Sequence, residues 1–198
     1  MIEQLYEQAG CGSATTSLGC YQYIALILII GTINTGGYFF YGLAYYELIP
    51  KFKCMYEVDV PQDFWTPNCE ASLTCNLEEN KIAKFKVDSS KDFSYDNLVI
   101  PYSLQCKSKN QIGLIGSMCF LGWATGCLIL PKFADKNGRK QIFLASVFIQ
   151  FFLWVGIIYG SNLYILYILC VAFGVCIAGR YTVGYCLLVE SIPKAYQI

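Results

Sequence analysis

The chain has 198 residues, of which 56% are hydrophobic and 14% are charged, and its 14 Lys and Arg balance its 14 Asp and Glu. Soluble domains usually carry about 25% charged residues, so this composition argues for a membrane protein, and the zero balance excludes the basic footprint of a nucleic-acid binder. The chain has no histidine, which excludes Ser/His or Cys/His nucleophiles and His-ligated metals. We therefore predict a membrane protein that is not an enzyme, with no cofactor, no metal site and no nucleic-acid partner.

The first predicted elements are a cytoplasmic N-terminal segment over residues 1–20 and a membrane-spanning helix over residues 21–48. No charged residue lies between Glu7 and Glu47. A helix needs about 20 mostly apolar residues to cross the apolar layer of a bilayer, where every backbone polar group must be paired within the segment. This stretch is long enough to do so.

A polar and aromatic face runs along this first helix. Asn34, Tyr38, Tyr41 and Tyr45 follow one another at spacings of four, three and four residues, so they lie on the same side. Aromatic walls accept flat organic ions through stacking or cation–π contact. We therefore predict that this face borders a substrate path, with packing inside the bundle as the alternative.

A connection of mixed charge over residues 49–110 follows the first helix and is predicted to lie outside the cell. It contains an even number of cysteines in an oxidising compartment, which indicates two disulfides. Three pairings are possible and the sequence does not choose among them, and four free thiols are the alternative. The candidates are Cys54, Cys69, Cys75 and Cys106.

The second predicted spanning helix covers residues 111–130, with Pro131 at its end, where a missing N–H does least harm. The connection over residues 131–140 holds the candidate latch residues Asp135, Gly138 and Arg139. An acidic residue, a glycine turn and paired basic residues can lock two helix ends through charge-assisted hydrogen bonds. We therefore predict a latch here, with simple anchoring by basic residues as the alternative.

Two further spanning helices are predicted over residues 141–159 and 163–189, joined by a tight turn. Arg180 lies well inside the last of them. A charged residue at such a depth costs at least about 2.5 to 3.5 kcal/mol and by default indicates a functional site. Arg180 is therefore predicted to be a counter-charge for an anionic substrate or a coupled carboxylate. The alternative is an arginine whose side chain extends to the inner interface.

Basic residues decide the predicted orientation. The connection over residues 131–140 contains Lys132, Lys136, Arg139 and Lys140, whereas the turn between the last two helices contains no basic residue. Cytoplasmic loops carry the excess of Lys and Arg, so this connection is predicted to be cytoplasmic. Both termini, including residues 190–198, then lie in the cytoplasm.

The latch sequence from Asp135 to Lys140 resembles the loop between helices two and three of the major facilitator superfamily, which has the pattern G-x-x-x-D-R/K-x-G-R-R/K. Other stretches resemble the organic cation/anion transporter family of solute carriers within that superfamily. These stretches are Leu5 to Gly10 with Tyr21-Gln22, Pro50 to Cys54, and Gly184 to Glu190 with Pro193.

The resemblance implies an all-α carrier of twelve helices in two halves, with substrate held between them near the bilayer midplane. This chain would be the first four helices, with the large disulfide-bearing outer loop between helices one and two. It would be an incomplete part of a plasma-membrane transporter that moves small organic ions by alternating access. The resemblance further implies an inner charge network of Asp135, Arg139 and Glu190, and an aromatic cavity residue at Tyr181.

The partners implied are the lipid bilayer, a small organic ion, and either the missing C-terminal helices or a partner membrane subunit. Two alternatives stay open. One is a four-helix structural or adhesion protein of claudin-like layout, to which length and a large cysteine-bearing first outer loop point. The other is a non-transporting accessory subunit derived from a carrier.

Overall fold

The computed structural model describes residues 20–56, 65–92 and 94–191. The predicted N-terminal segment as far as residue 19, and residues 192–198 of the predicted cytoplasmic end, lie outside this range. In chain order the helices and strands are α1 (Cys20–Tyr46), β1 (Phe52–Tyr56), β2 (Thr66–Cys69), β3 (Ile82–Val87), α2 (Lys109–Asn137), α3 (Arg139–Tyr159), α4 (Leu163–Ala178), a π-helical turn (Gly179–Val183) and α5 (Gly184–Ser191).

Four helices in the described part of the chain are long and apolar enough to cross a membrane. They are α1, α2, α3 and the continuous run from α4 through the π-helical turn into α5. The first, third and fourth begin and end within two residues of the predicted spans. The protein is therefore a multi-pass membrane protein with an all-α membrane part.

The second helix differs from its prediction. It continues through Pro131 as far as Asn137, so the placement of Pro131 at a helix end was wrong, and the predicted connection over residues 131–140 shrinks to Gly138. A proline costs a helix interior one hydrogen bond, which membrane helices tolerate where neighbouring groups compensate. The helix ends instead where Gly138 takes a φ of 98°, a conformation that favours glycine.

The helices α2 and α4 pack with their backbones in close contact. A Cβ atom added at Gly122 would meet the carbonyl oxygen of Val171, and one added at Gly174 would meet the carbonyl oxygen of Cys119. Small residues permit this approach in membrane helices, where packing replaces the hydrophobic effect as the cause of association. The contact forms the centre of the bundle, beside the fully buried Phe173.

The connection between α1 and α2 folds into a small disulfide-bonded subdomain. Its antiparallel sheet has the strand order β2-β1-β3. One disulfide joins Cys54 to Cys69, across β1 and β2. The other joins Cys75 to Cys106 and so links two 3₁₀ turns, Ala71–Cys75 and Leu104–Cys106. The prediction of two disulfides in this loop is confirmed, and the structure assigns the pairing that the sequence left open.

Two hydrogen-bonded contacts fasten this subdomain to the helices. The Asn97 side chain donates to the carbonyl oxygens of Tyr45 and Leu48, at 2.9 and 2.7 Å. The Tyr102 hydroxyl, on a side chain only 2% exposed, donates to the carbonyl oxygen of Ile157 at 2.7 Å. The subdomain is therefore anchored to the ends of α1 and α3 that face it.

Asp88 is the buried charge of this subdomain. Its carboxylate lies 2.7 Å from the Lys53 ammonium and accepts hydrogen bonds from the backbone N–H and the hydroxyl of Ser90. These hydrogen bonds, from Lys53 first and then from Ser90, lower the pKa of Asp88 to about 2. The carboxylate is thus ionised in the folded state at every physiological pH.

This lowered pKa predicts an acid-dependent loss of stability. A carboxyl whose pKa is lower in the folded than in the unfolded chain stabilises the fold above the unfolded value. We expect the subdomain to lose this contribution as the pH falls from 3.8 towards about 2, and Asp88→Asn to lack that step. Thermal unfolding followed by tryptophan fluorescence across this pH range measures it. The matched control is Asp92→Asn, at an exposed carboxyl; an acid step that persists unchanged in Asp88→Asn contradicts the prediction.

Candidate substrate path and inner charge cluster

The predicted aromatic face of α1 is largely exposed. Tyr38, Tyr41 and Tyr45 are 70%, 86% and 62% exposed, and Asn34 is also exposed. The side-chain amide of Asn34 donates to the Ile30 carbonyl oxygen of its own helix at 2.9 Å. The described residues therefore leave most of this face uncovered, and its side chains lie outside the packed core.

Arg180 lies on the buried side of the fourth spanning segment, in the π-helical turn. Its side chain is 2% exposed, so it does not extend to the inner surface as an interfacial arginine would. π-Helical turns inside α-helices occur frequently at functional sites, because the extra residue changes the direction of the side chains that follow. The turn thus brings a cation into the bundle interior.

The Arg180 guanidinium joins the fourth segment to α1. Its Nη1 donates to the carbonyl oxygen of Thr32 at 2.7 Å and to the hydroxyl of Thr35. A Cβ atom at Gly36 would lie 2.6 Å from Nη2, so glycine makes room for the guanidinium. The Nε and Nη2 atoms are buried and have no hydrogen-bond partner among the described residues. Buried polar groups are normally paired, and these two N–H-bearing atoms on one edge match the two oxygens of a carboxylate.

Tyr181 lies beside this arginine and meets the tyrosine face of α1. A Cβ atom at Gly37 would lie 3.6 Å both from the Tyr181 hydroxyl and from the Tyr41 ring. On its other side the Tyr181 ring packs against Trp123, with 6.0 Å between ring centroids. Tyr181 and Tyr41 therefore both lie beside Gly37, while no described contact brings Asn34 or Tyr38 to this place.

The predicted latch residues form a second group at the opposite end of the helices from the disulfide subdomain. Arg139 is the first residue of α3, and its Nε and Nη2 donate to one carboxylate oxygen of Asp135 at 3.3 and 3.1 Å. Its Nη1 lies 2.8 Å from a carboxylate oxygen of Glu190 in α5. Gly138 makes the sharp turn that sets these helix ends side by side. One guanidinium therefore links α2, α3 and α5.

The latch group is exposed enough to open at little cost. The side chains of Arg139, Asp135 and Glu190 are 33%, 65% and 55% exposed. Ion pairs in water-exposed positions contribute about 0 to 1 kcal/mol each. These ion pairs therefore contribute little to the stability of the fold.

Sequence reasoning missed two groups that contact Arg180 and one that packs against its neighbour Tyr181. Thr32 and Thr35 supply the hydrogen-bond acceptors of Arg180, and Trp123 contributes a buried indole N–H without a partner among the described residues. The two threonines are three residues apart on α1 and so share a face, which was a usable signal. No sequence signal connects Trp123, in α2, to this site.

Comparison with known proteins gives one finding on the family. Residues 74–195 match the family model described as "Sugar (and other) transporter", which is more than half of the chain and extends from the disulfide subdomain through the last three spanning segments. No curated protein and no solved structure matches the chain.

Proposed function

Since the chain belongs to the sugar (and other) transporter family, and so to the major facilitator superfamily of membrane transporters, we propose that it serves to move small organic ions across the plasma membrane by alternating access. The family match favours a transporter over a claudin-like structural protein. Within the superfamily we propose a place near the organic cation/anion transporters, for which the support is the set of motifs in the sequence. The proposed partners are the bilayer, the transported ion, and further helices that complete the bundle from the same polypeptide or from another membrane subunit.

One observation carries the proposal that the substrate is an ion, namely the buried guanidinium of Arg180. A neutral solute does not offset the free-energy cost of keeping a charged arginine in the membrane interior. An organic anion does, because its carboxylate can accept from the two atoms that lack partners, Nε and Nη2. Tyr41 and Tyr181 provide aromatic surface for the apolar part of such a substrate beside the charge. We therefore propose small carboxylates as the preferred class.

The experiment for this proposal is uptake by the native protein. The cDNA is first sequenced past Ile198, so that the complete native product is reconstituted in liposomes. Uptake of radiolabelled benzoate, tetraethylammonium and glucose is then measured with empty liposomes as the control. We expect saturable benzoate uptake that a second aromatic carboxylate inhibits and glucose does not. Equal uptake of all three, or glucose uptake alone, contradicts the proposal, and absence of all uptake favours the accessory-subunit alternative.

The exposed latch group predicts that a substitution in it can change the transport rate without changing the stability of the fold. We propose that Arg139, Asp135 and Glu190 hold the inner side closed in one state of the cycle. Replacing Glu190 with Gln removes one ion pair, so we expect uptake to change several-fold while the free energy of unfolding changes by less than about 1 kcal/mol.

The matched control for this prediction is Glu78→Gln, at an exposed glutamate of the outer subdomain. Both variants are compared with wild type for initial uptake rate and for unfolding in detergent. We expect Glu78→Gln to leave both quantities unchanged. Wild-type uptake kinetics in Glu190→Gln would argue against a gating role for the latch group.

A further inference from the structure

A cavity of about 760 Å³ lies where the disulfide subdomain meets the ends of α1 and α3. Ligand pockets typically measure about 300 to 1,000 Å³, so its volume is that of a small-molecule site. Four aromatic residues and one carboxylate dominate its walls. They are Tyr45, Tyr46, Tyr95, Trp154 and Asp96.

The cavity is separate from the proposed anion site at Arg180, although Tyr45 in its wall also belongs to the aromatic face that is predicted to border the substrate path. Thr35, which binds the Arg180 guanidinium, precedes Tyr45 by ten residues in the same helix, which is about 15 Å along its axis. The cavity also opens on the side of α1 and α3 where the subdomain is anchored, so it lies at the boundary between the apolar layer and the outer aqueous side. An inference about it therefore does not rest on the proposed function.

The walls of the cavity are held in place before any ligand binds. Trp154 packs edge-on between Phe39 and Phe173, with ring centroids 5.3 and 5.4 Å away. The segment that carries Tyr95 and Asp96 is held to α1 by the two hydrogen bonds that Asn97 donates. A site whose walls are already ordered costs less conformational entropy to fill.

The charge in the cavity selects for a cation. Asp96 is exposed and takes part in none of the ion pairs among the described residues. Among the described residues that line the cavity, no lysine or arginine is present to balance it. Aromatic faces attract cations as well, by about 0.5 to 2 kcal/mol each. The Asp96 carboxylate would repel an anion.

The type of cation follows from the apolar walls. A primary ammonium brings three N–H donors, which must each find an acceptor when they leave water, and the described walls are mainly ring and aliphatic carbon. A quaternary ammonium has no N–H to satisfy, and its methyl groups pack against rings. Ile158, which is 55% exposed, adds an apolar side chain to the wall of the cavity, against which a hydrocarbon chain can pack.

We propose that this cavity binds a quaternary ammonium group attached to an apolar chain, with Asp96 as its counter-charge and Tyr45, Tyr95 and Trp154 as its aromatic walls. The same chemistry is present in a choline-type lipid headgroup of the outer leaflet and in a soluble cationic amphiphile. The test must therefore separate these two sources.

The first arm uses a soluble probe. The native protein is placed in nanodiscs of phosphatidylglycerol, which lack quaternary ammonium groups, and hexyltrimethylammonium is titrated by isothermal calorimetry. The heat from protein-free nanodiscs of the same lipid is subtracted, because anionic lipid attracts the cation by itself. Hexanol and hexanesulfonate serve as uncharged and anionic controls of equal chain length. We expect hexyltrimethylammonium to bind at least about tenfold more tightly than hexanol and hexanesulfonate not to bind. Equal binding of hexanol and hexyltrimethylammonium would overturn the proposal.

The second arm uses lipid. The protein is released from nanodiscs of mixed phosphatidylcholine and phosphatidylglycerol, and the retained lipid is identified by native mass spectrometry. Retained phosphatidylcholine that hexyltrimethylammonium displaces identifies the lipid headgroup as the occupant. Binding of the soluble probe without retained phosphatidylcholine identifies a soluble amphiphile. Binding in neither arm overturns the proposal.

Variants test whether the measured binding of hexyltrimethylammonium takes place in the cavity. We expect Asp96→Asn to weaken hexyltrimethylammonium binding about tenfold and Tyr95→Leu to weaken it about threefold, in keeping with one lost charge contact and one lost cation–π contact. Both residues are exposed, so neither change should disturb folding. Asp92→Asn, at a nearby exposed carboxyl outside the cavity, is the matched control and should bind as wild type does. Unchanged binding in Asp96→Asn would overturn the assignment.

Discussion

Replacing Gly122 with alanine should destabilise the helix bundle by about 3 kcal/mol, the upper end of what over-packing usually costs. The added methyl group would lie against the backbone carbonyl of Val171, and backbone cannot move aside as a flexible side chain can. The two helices must therefore separate, and the close packing around Gly174 is lost with them. The gain of about 1 kcal/mol from alanine in a helix offsets only part of this loss.

The comparison that tests this prediction stays within the same helix. Gly113→Ala is the matched control, because a Cβ atom at Gly113 has nothing within 4 Å, and we expect it to be neutral or slightly stabilising. Unfolding of the purified protein in mixed micelles gives both free energies. We also expect Gly122→Ala and Gly174→Ala together to cost less than the sum of the single changes, since both act on one interface. Equal stability of Gly122→Ala and Gly113→Ala would contradict the close-packing argument.

Replacing Arg180 with glutamine should lower uptake of an anionic substrate by about 30-fold or more. Truncating one member of a buried, hydrogen-bonded charge pair usually costs about 2 to 5 kcal/mol, and about 1.4 kcal/mol corresponds to a factor of ten. We expect Arg180→Lys to keep part of the uptake activity, since lysine retains the charge but cannot form bidentate hydrogen bonds to a carboxylate. Initial rates of benzoate uptake across a range of concentrations measure both effects.

Stability measurements distinguish this role from a purely structural one. Removing an arginine whose burial is incompletely compensated should leave the free energy of unfolding unchanged or increase it. Thr35→Val removes one acceptor of the guanidinium while retaining the charge, so it should keep uptake within about threefold of wild type. Parallel losses of stability and uptake in Arg180→Gln and Thr35→Val would instead mean that Arg180 only joins α1 to the fourth segment.

Most of the membrane architecture could be predicted from the sequence. The spans are set by the length of charge-free apolar segments, a property that the bilayer thickness imposes locally and that needs no tertiary contact. The latch sequence was recognisable for a similar reason, because Asp135 and Arg139 are four residues apart and the turn between them requires Gly138. The presence of four cysteines in one loop that is predicted to lie outside the cell likewise sufficed to predict two disulfides.

Only the tertiary structure decided which residues that are distant in sequence come into contact. The pairing of Cys54 with Cys69 and of Cys75 with Cys106 depends on the strand order of the sheet, which composition does not encode. The course of α2 through Pro131 was likewise not predictable from the chain alone, since a membrane helix tolerates a proline only where its surroundings offset the missing hydrogen bond.

The same holds for the site around Arg180. The sequence alone determined that a cation lies deep in the fourth segment, because charge and hydropathy are read along the chain. Only the tertiary structure decided that this cation faces Thr32 and Thr35 across a space that Gly36 leaves open. Such contacts arise where two helices cross, and the crossing is set by side-chain packing over their whole length, so it cannot be read from the residues that happen to meet there.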